Sequence, residues 1–546
     1  MTVPSYRAPL LWLLLPMMCG YVLGHHLPEI ATIPAVVLAL VALITAYWTQ
    51  RGDSDSSLRK YWPLLFFIGV SATSLLYYQH NRRFPDLWEI LPPREAKLQI
   101  KVKRLYASND PSLAKGVATI TGTEDHLRQL KDYLIYFSIV TKGELIDRGQ
   151  HLNAQGVLNY LPSKESPTLF EKFLQGQSIP LTLTRAYLLE SPQDGSTFEV
   201  LISNLRKQAI HTLGIQLDDF TEQRSIYRGM VLGIKGELSS ENKQLFLRTG
   251  TLHLFAISGL HVGIIAVTWA SIFLVLRIPR RVSVVLGLAL VYLYVEVTGA
   301  SPSAIRAFAM TAFFWAGKSL FRQMPPFQAL VASAVTVLLI SPTQLFSAGF
   351  QLSYTVVTGI LLWGIPLYQT LRDAWYARIL QKQQHLSNLS KAVNKGLEMV
   401  VGTFCISLSA TLSSAPLSIL YFGLLAPFAV ILNMFLVPIA SLIIVSGLFS
   451  LIFGFLQLSV VSSFFNHGPL LLILITETIL EKIVQTPGAF SIMAWLKDWL
   501  GYATVFLFLG SLLAGHGFRF PKLWRFTFPV VITVGMILLN SALRYI

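Results

Sequence analysis

Long apolar runs follow one another along most of the 546-residue chain, separated by short polar loops and interrupted once by a hydrophilic stretch. A run of about 20 apolar residues is long enough to cross the hydrocarbon core of a bilayer as a helix. The pattern therefore predicts a polytopic α-helical membrane protein with about 13 spans. The predicted spans lie near residues 9–26, 31–49, 61–79, 252–276, 282–298, 303–319, 327–341, 345–365, 398–421, 427–453, 459–480, 500–515 and 527–542.

The loops between the predicted spans indicate the orientation, because basic residues concentrate in cytoplasmic loops. The loop after the second span carries Arg51, Arg59 and Lys60, whereas residues 25–30 carry no Lys or Arg. We therefore place the amino terminus in the cytoplasm, the hydrophilic stretch outside it, and the chain in the cytoplasmic (inner) membrane. Loop charges discriminate least over residues 454–500. The later loops predicted to be cytoplasmic hold Arg277, Arg280, Arg281, Lys318, Arg322, Arg372, Arg378, Lys382, Lys391, Lys395, Arg519, Lys522 and Arg525, and the outward turns at 299–302, 341–344 and 422–426 hold none.

The hydrophilic stretch, residues 85–250, alternates apolar and polar residues in the manner of β-strands. Leu98, Ile100 and Val102 alternate with polar neighbours. The same period recurs at Tyr133, Ile135, Phe137 and Ile139, at Leu181 and Leu183, and at Phe198, Val200 and Ile202. Five or six short strands over about 110 residues predict a small all-β domain, for which an OB-type barrel is the natural candidate and a sandwich fits nearly as well.

These patterns divide the chain into four parts. Residues 1–84 hold three spans, and residues 85–205 form the extracytoplasmic OB-like β domain. Residues 206–250 are amphipathic and are predicted to form linker helices at the outer membrane surface. Residues 251–546 hold the remaining spans.

Composition agrees with a membrane protein and gives little evidence for a ligand. Hydrophobic residues make up 53% of the chain and charged residues 13%, against roughly 25% charged in soluble domains. The net charge is +15, but residues 82–248 contribute only +3 of it, from 22 Lys and Arg against 19 Asp and Glu. We attribute most of the excess to cytoplasmic loops. Cys19 and Cys405 both lie in apolar runs, so no disulfide framework is expected.

The densest polar signal opens the fourth predicted span, between Leu252 and Gly263. Ser258 and His261 are three residues apart and share a helix face, and Gly259 with Gly263 forms a small-xxx-small pair. A polar face beside glycines is typical of a lined transport path or of tight helix packing. A serine nucleophile with a histidine base is a third interpretation, although no carboxylate nearby would orient the imidazole.

Two ionisable residues lie where lipid would penalise them. Glu296 and Arg306 flank the outward turn at 299–303, and an ionised group near the bilayer centre costs at least roughly 2.5–3.5 kcal/mol. The two could form an ion pair across this hairpin, or Arg306 could contact phosphate at the outer mouth of a pore. Other polar residues in or beside the spans are candidates for lining the same path, and these are Ser301, Ser303, Gln351, Ser353 and Asn433.

No motif for metal or nucleotide chemistry is visible in the sequence. The chain has no His-x-His-x-Asp-His constellation, and its histidines are scattered apart from His25 and His26. The segment Gly317-Lys318-Ser319 mimics the end of a phosphate-binding loop, but residue 312 is alanine where that motif needs its first glycine. We therefore predict no nuclease or ATPase activity, no metal site and no cofactor.

The stretch from Arg228 to Gly263 resembles the ComEC family of competence proteins, most specifically in the block Ser258-Gly259-Leu260-His261. The order of three spans, a soluble insert and many further spans also resembles this family, so the likeness covers nearly the whole chain. Weaker similarities follow in the family's order, at residues 303–307, at 350–353 and around Pro416, Asn433 and Pro438.

The resemblance implies that the insert is OB-like and that residues 251–546 form a competence-type channel domain. One strand of DNA would enter through it during natural transformation. We expect a separate cytoplasmic ATP-driven motor and an outer DNA receptor as partners. Many family members carry a metallo-β-lactamase-like nuclease domain, whereas this chain stops at Ile546. A separate nuclease is therefore expected if the second strand is degraded.

An OB barrel is a common platform for single strands because it combines aromatic faces with a basic groove. The modest +3 charge of the insert weakens this expectation. The predicted DNA contacts of the β domain are Lys101, Lys103, Arg104, Lys131, Tyr133 and Phe137.

Two alternatives to the DNA channel remain open from the sequence. One is a transporter or export channel for another polymer or a small substrate, with the β domain as a partner-docking module. The other is an intramembrane hydrolase that uses Ser258 and His261.

Overall fold

The computed structural model describes residues 8–27, 32–51, 61–82, 92–106, 110, 112–141, 143–144, 146–161, 169–177, 179–234, 236–255, 257–320, 324–380, 388–486, 490–518 and 520–544. Contacts within the chain divide it into two compact units. We call the first the barrel unit, which comprises Arg7–Asn204 and Val331–Phe350. We call the second the helical unit, which is built mainly from Leu205–Leu330 and Gln351–Ile546.

The barrel unit begins with three apolar helices at the first three predicted spans, namely α1 (Leu11–His26), α2 (Thr32–Arg51) and α3 (Trp62–Arg82). Helices α1 and α3 approach closely at Gly20, where a Cβ atom would collide with the carbonyl oxygen of Ser71. The Ser71 hydroxyl donates a hydrogen bond to the carbonyl of Pro16 at 3.0 Å. Close packing of this kind is usual where small residues let helix backbones meet.

A closed five-stranded barrel follows, with the strand order β1-β2-β3-β5-β4. The strands are β1 (Arg94–Tyr106), β2 (Leu113–Thr123), β3 (Leu134–Val140), β4 (His151–Tyr160) and β5 (Leu181–Leu188), and helix α4 (Leu169–Gly176) connects β4 to β5. Strands β3 and β5 run parallel, whereas β1 pairs antiparallel with both β2 and β4. The predicted alternation is confirmed in β1, because Leu98, Ile100 and Val102 are buried in the barrel core.

The alternation around Val200 predicts a strand, but the structure has helix α5 (Thr197–Thr212) there. A capping box explains the difference. Glu199 Oε2 accepts a hydrogen bond from the backbone N–H of Ser196 at 2.9 Å, and Ser196 Oγ accepts one from the N–H of Glu199 at 3.4 Å. The signal was present in the sequence as Ser-x-x-Glu, and it outweighs a short alternation of three apolar residues.

The described residues after α5 are almost entirely helical. Its elements are α6 (Thr221–Leu232), α7 (Ser240–Arg248), α8 (Gly259–Val275), α9 (Arg280–Val297), α10 (Pro302–Leu320), α11 (Pro326–Ile340), α12 (Ala348–Gly359), α13 (Ile365–Leu380), α14 (Asn388–Phe422), α15 (Ala429–Phe455), α16 (Ser459–Val484), α17 (Asp498–Gly517) and α18 (Lys522–Arg544), with two-residue strands β6 (Leu424–Leu425) and β7 (Ser491–Ile492) paired with each other. Each predicted span from the fourth onward coincides with helical structure. A π-helical turn, Ile360–Gly364, joins α12 to α13.

Six helical stretches among the described residues are long and apolar enough to cross a membrane, and they are Ala348–Tyr376, Ala392–Phe422, Ala429–Phe455, Ser459–Val484, Asp498–Gly517 and Lys522–Leu543. The chain is thus a membrane protein with a β domain.

Candidate functional site

The polar residues Ser258 and His261 form the N-terminal cap of α8. A 3-10 turn at Leu252–Phe255 precedes it, and Ser258 is extended (φ −114°, ψ 178°) at the N-cap position. His261 Nδ1 accepts a hydrogen bond from the backbone N–H of Ser258 at 3.3 Å and lies 3.1 Å from Ser258 Oγ. The spacing of three, which predicts a shared helix face, therefore brings the two side chains together as a cap on the first turn.

The hydrogen bonds at this cap assign the proton of the imidazole. A backbone N–H can only donate, so Nδ1 of His261 carries no proton and Nε2 carries it in the neutral ring. The ring has no exposed surface. The backbone carbonyls of Met230 and Leu254 lie against it, but Nε2 makes no hydrogen bond of normal geometry to the described residues. Nε2 is therefore a buried donor whose two nearby carbonyls lie outside normal hydrogen-bond geometry, and an incompletely satisfied buried donor is costly.

The two glycines of this block border open space. A Cβ atom built on Gly259 or Gly263 meets no atom within 4 Å outside the helix's own turns. By contrast, a Cβ atom on Gly287 of α9 would come within 2.6 Å of the Trp315 ring. The described helices do not pack tightly against Gly259 and Gly263, so close helix packing does not explain why both residues are glycine.

An apolar core holds the cap in place. Val262 and Ile265 of α8 pack in one buried cluster with Val291 of α9, Ala304 of α10 and Ile444 of α15. Three neighbouring helices thus fix the first turn of α8, so the orientation of His261 is determined by packing as well as by its hydrogen bond.

Arg306 of α10 contacts a second predicted path residue. Its side chain is 3% exposed, and its Nη2 donates a hydrogen bond to Ser353 Oγ of α12 at 3.1 Å. The hydroxyls of Ser301 and Ser303 lie 3.0 Å apart at the start of α10. The ion pair between Glu296 and Arg306 stays a prediction.

The turn between α9 and α10 carries a contact that the sequence did not suggest. Gly299 and Ala300 both adopt positive φ angles, 93° and 44°. Arg206 Nη1 donates a hydrogen bond to the carbonyl of Val297 at 2.9 Å. A cation at the C-terminal end of a helix complements the helix dipole, and a cation 91 residues away in sequence leaves no local signal.

Gln351 and Asn433 have different surroundings. Gln351 Oε1 accepts a hydrogen bond from the Tyr421 hydroxyl at 2.9 Å, and that hydroxyl lies 3.3 Å from the hydroxyl of Tyr502. Asn433 Oδ1 is buried and accepts no hydrogen bond from the described residues. Gln351 is therefore engaged by a tyrosine pair, whereas Asn433 retains an unused buried acceptor.

A buried polar network that sequence reasoning missed surrounds Asn466 of α16. Its Oδ1 accepts hydrogen bonds from Ser450 Oγ at 2.6 Å and from the Tyr227 hydroxyl at 3.3 Å, and its Nδ2 donates to the carbonyl of Thr212 at 2.9 Å. The network ties α5 and α6 to α15 and α16. An asparagine in an apolar run was its only sequence signal.

Of the two predicted aromatic contacts of the barrel, one is not a surface group. Phe137 has no exposed surface and belongs to the barrel core, so its ring cannot stack on a base; this corrects the prediction for Phe137. Tyr133 packs against the same core. Lys103 and Lys131 are exposed.

The other two predicted cations of the barrel already have protein partners. Lys101 forms an ion pair with Glu199 at 2.9 Å. Partial burial raises the pKa of Glu199, but hydrogen bonds from Lys101 and Ser196 outweigh it and hold that pKa below its ordinary value. Arg104 Nη1 donates a hydrogen bond to Gln177 Oε1 at 3.1 Å.

The described part of the chain shows no metal site, because no three His, Cys, Asp or Glu side chains there form a group that could hold an ion.

Comparison with known proteins identifies relatives of this chain. ComE operon protein 3 of Bacillus subtilis (strain 168) is 28% identical to this chain over 276 residues. The aligned region is 50% of this chain and 32% of that protein. An uncharacterized protein of Aquifex aeolicus (strain VF5) is 28% identical over 355 residues, which is 60% of this chain and 74% of that protein.

A third relative, the uncharacterized protein YcaI of Escherichia coli (strain K12), is 28% identical over 167 residues, which is 29% of this chain and 22% of that protein. No solved structure matches the chain. The family model described as Competence protein matches residues 230–517, which is more than half of the chain and includes the Ser258–His261 cap and Arg306. The chain therefore belongs to the competence protein family, and the resemblance to the ComEC proteins is confirmed.

Proposed function

We propose that the chain is a channel of the cytoplasmic membrane through which single-stranded DNA passes inward during natural transformation. Family membership supports a role in DNA uptake for competence. The observations that support the channel assignment are the buried His261 cap and, on another face of the same helix, two glycines that border open space. A polar ring buried in an apolar bundle is costly, and polar groups inside membrane helices commonly mark a transport path.

The proposed path combines the residues of the cap with those of the α10–α12 contact. The His261 ring is buried in this structure, so the first turn of α8 would have to move before Nε2 could donate to an acceptor on the passing strand. Arg306 would hold its helices in position or meet phosphate. The proposed lining residues are Ser258, Gly259, His261, Ser301, Ser303, Arg306, Gln351, Ser353 and Asn433.

We propose that the barrel is of the OB type and lies outside the cytoplasm. A closed five-stranded barrel with the order β1-β2-β3-β5-β4 supports this assignment. In the proposed topology about 13 spans begin with a cytoplasmic amino terminus, and the parts 1–84, 85–205, 206–250 and 251–546 act as anchor, β domain, surface linker and channel. The proposed partners are an ATP-driven motor in the cytoplasm, a DNA receptor outside, and a separate nuclease.

The contact between Ser258 and His261 could also suggest a hydrolase. In a Ser-His pair of that kind, the nitrogen facing the serine must be free to take its proton. Here Nδ1 already accepts the backbone N–H of Ser258, and Nε2 makes no hydrogen bond of normal geometry to a carboxylate among the described residues. We therefore favour the channel.

The proposal is tested by deletion and complementation. A strain without the gene should lose transformation by linear DNA while it still binds labelled DNA at the surface, and the wild-type gene should restore transformation. Normal transformation of the deletion strain would reject the DNA-uptake role and favour a transporter of another polymer.

A further inference from the structure

A cleft on the outside of the barrel is lined by four aromatic rings and one lysine. Tyr106 at the end of β1, Tyr136 on β3, Phe170 and Phe173 on α4, and Lys115 on β2 line a cavity of about 330 Å³. This volume falls at the small end of the range found for ligand sites, which starts at about 300 Å³.

The four rings form two near-parallel pairs. The centroids of Tyr106 and Tyr136 are 6.4 Å apart with planes inclined by 26°, and those of Phe170 and Phe173 are 6.1 Å apart with an angle of 24°. The pairs meet edge to face, with Tyr136 and Phe170 at 5.0 Å and 72°. Phe170 and Phe173 remain 44% and 45% exposed, although Leu174 anchors their helix with only 1% exposure. The helix is thus held in place while two flat apolar rings face solvent.

The fold places this cleft where OB-type barrels bind their ligands. Tyr106 precedes the connection between β1 and β2, helix α4 lies in the connection between β4 and β5, and Lys115 and Tyr136 lie on β2 and β3. Strands 2 and 3 together with these two connections form the binding face for oligonucleotides and oligosaccharides in such barrels.

We propose that this cleft stacks an unpaired base of single-stranded DNA and that Lys115 contacts the adjacent phosphate. The identity of the ligand rests on the proposed function. Aromatic faces stack on every base, so the site is tolerant of sequence, as DNA uptake requires. The second nearby cation, Arg104, is held beside Gln177 close to Tyr106. The cleft takes the stacking role that the sequence assigns to Phe137.

The test uses the full chain in nanodiscs of uncharged lipid and a fluorescent oligo-dT probe. The double variant Phe170→Ala with Phe173→Ala should raise the Kd by about 5- to 150-fold for each stacked base. Phe198→Ala is the matched control, because Phe198 is 47% exposed in the same unit but lies on α5, outside the cleft. Its Kd should equal that of the wild type.

Charge and ring chemistry are tested separately. Lys115→Ala should reduce the slope of log Kd against log salt by about 0.7, the value for one phosphate contact on a single strand, and Lys115→Arg should retain it. Phe173→Trp keeps a flat ring at this position and should bind as the wild type.

The proposal is overturned if the double alanine variant binds oligo-dT as tightly as the wild type. It is also overturned if Phe173→Trp weakens binding as much as the double alanine variant does. Preference for a neutral oligosaccharide over oligo-dT would also overturn it. The two claims fail separately. Normal transformation of the deletion strain rejects the proposed function, whereas wild-type affinity in the double variant rejects only the cleft.

Discussion

Replacing Arg306 separates a structural role from a transport role. Its guanidinium is buried and donates to Ser353 Oγ. Ser353→Ala removes only this acceptor, and hydrogen bonds to charged groups contribute about 1.5–3 kcal/mol, so the free energy of unfolding should fall by no more than that. Arg306→Ala removes the cation itself. If Glu296 is its partner, a half-buried carboxylate loses its cation, and the expected cost exceeds that of Ser353→Ala without reaching the roughly 3–5 kcal/mol of a fully buried pair.

The assay compares stability, abundance and uptake in the same set of variants. We expect Arg306→Ala to lower the thermal midpoint and the membrane abundance more than Ser353→Ala does, with transformation falling in proportion to abundance. Arg306→Lys keeps the charge but loses the planar fork, so it should rescue a phosphate contact better than a bidentate ion pair. The charge-swapped variant, Glu296→Arg with Arg306→Glu, should restore both abundance and uptake if the two residues pair.

A different pattern would refute this reasoning. If Arg306→Ala keeps wild-type stability and abundance while uptake collapses, and Arg306→Lys restores uptake, the guanidinium serves the passing DNA. The charge-swapped variant should then remain inactive.

Three further predictions concern the path, the topology and the absence of nuclease activity. Gly263→Leu should keep normal abundance because a side chain there enters open space, yet it should reduce uptake as strongly as His261→Ala. The control is Gly287→Leu, which should lose abundance because Gly287 is tightly packed. Normal uptake with Gly263→Leu would exclude a path at this face. A cysteine that replaces the exposed Thr197 should be labelled from outside intact cells, whereas one that replaces the exposed Gly396 should not. Labelling of both cysteines, or of the second alone, contradicts the proposed membrane orientation. Purified protein should not cleave DNA with Mg²⁺, Mn²⁺ or Zn²⁺, since the described residues offer no metal cluster; cleavage abolished by a substitution in the chain would disprove this.

Hydropathy by itself predicted where the helices lie. An apolar run of span length is itself a strong helix signal in a membrane protein, since the backbone must satisfy its hydrogen bonds within the segment. Alternation likewise identified β1, β3 and β5, whose inward side chains share one closed core. It failed at Val200, where a capping box decides the local structure.

Other features were decided only by the tertiary structure. The spacing of Ser258 and His261 predicted their proximity but not the break that makes Ser258 an N-cap. The alternation places Phe137 on the same apolar face as Ile135 and Ile139, and the closed barrel buries that face, so the choice of Phe137 as a stacking ring was wrong.

The pairing of residues that join distant segments had no local signal, although some of the single residues stood out in the sequence. Arg306 reaches Ser353 across 47 residues, and Asn466 reaches Tyr227 across 239. The cleft gathers Tyr106 and Tyr136 with the rings of α4 only because barrel closure brings the two connections together. Periodicity records which face of an element is apolar, whereas the choice of partner for that face depends on how the whole chain packs.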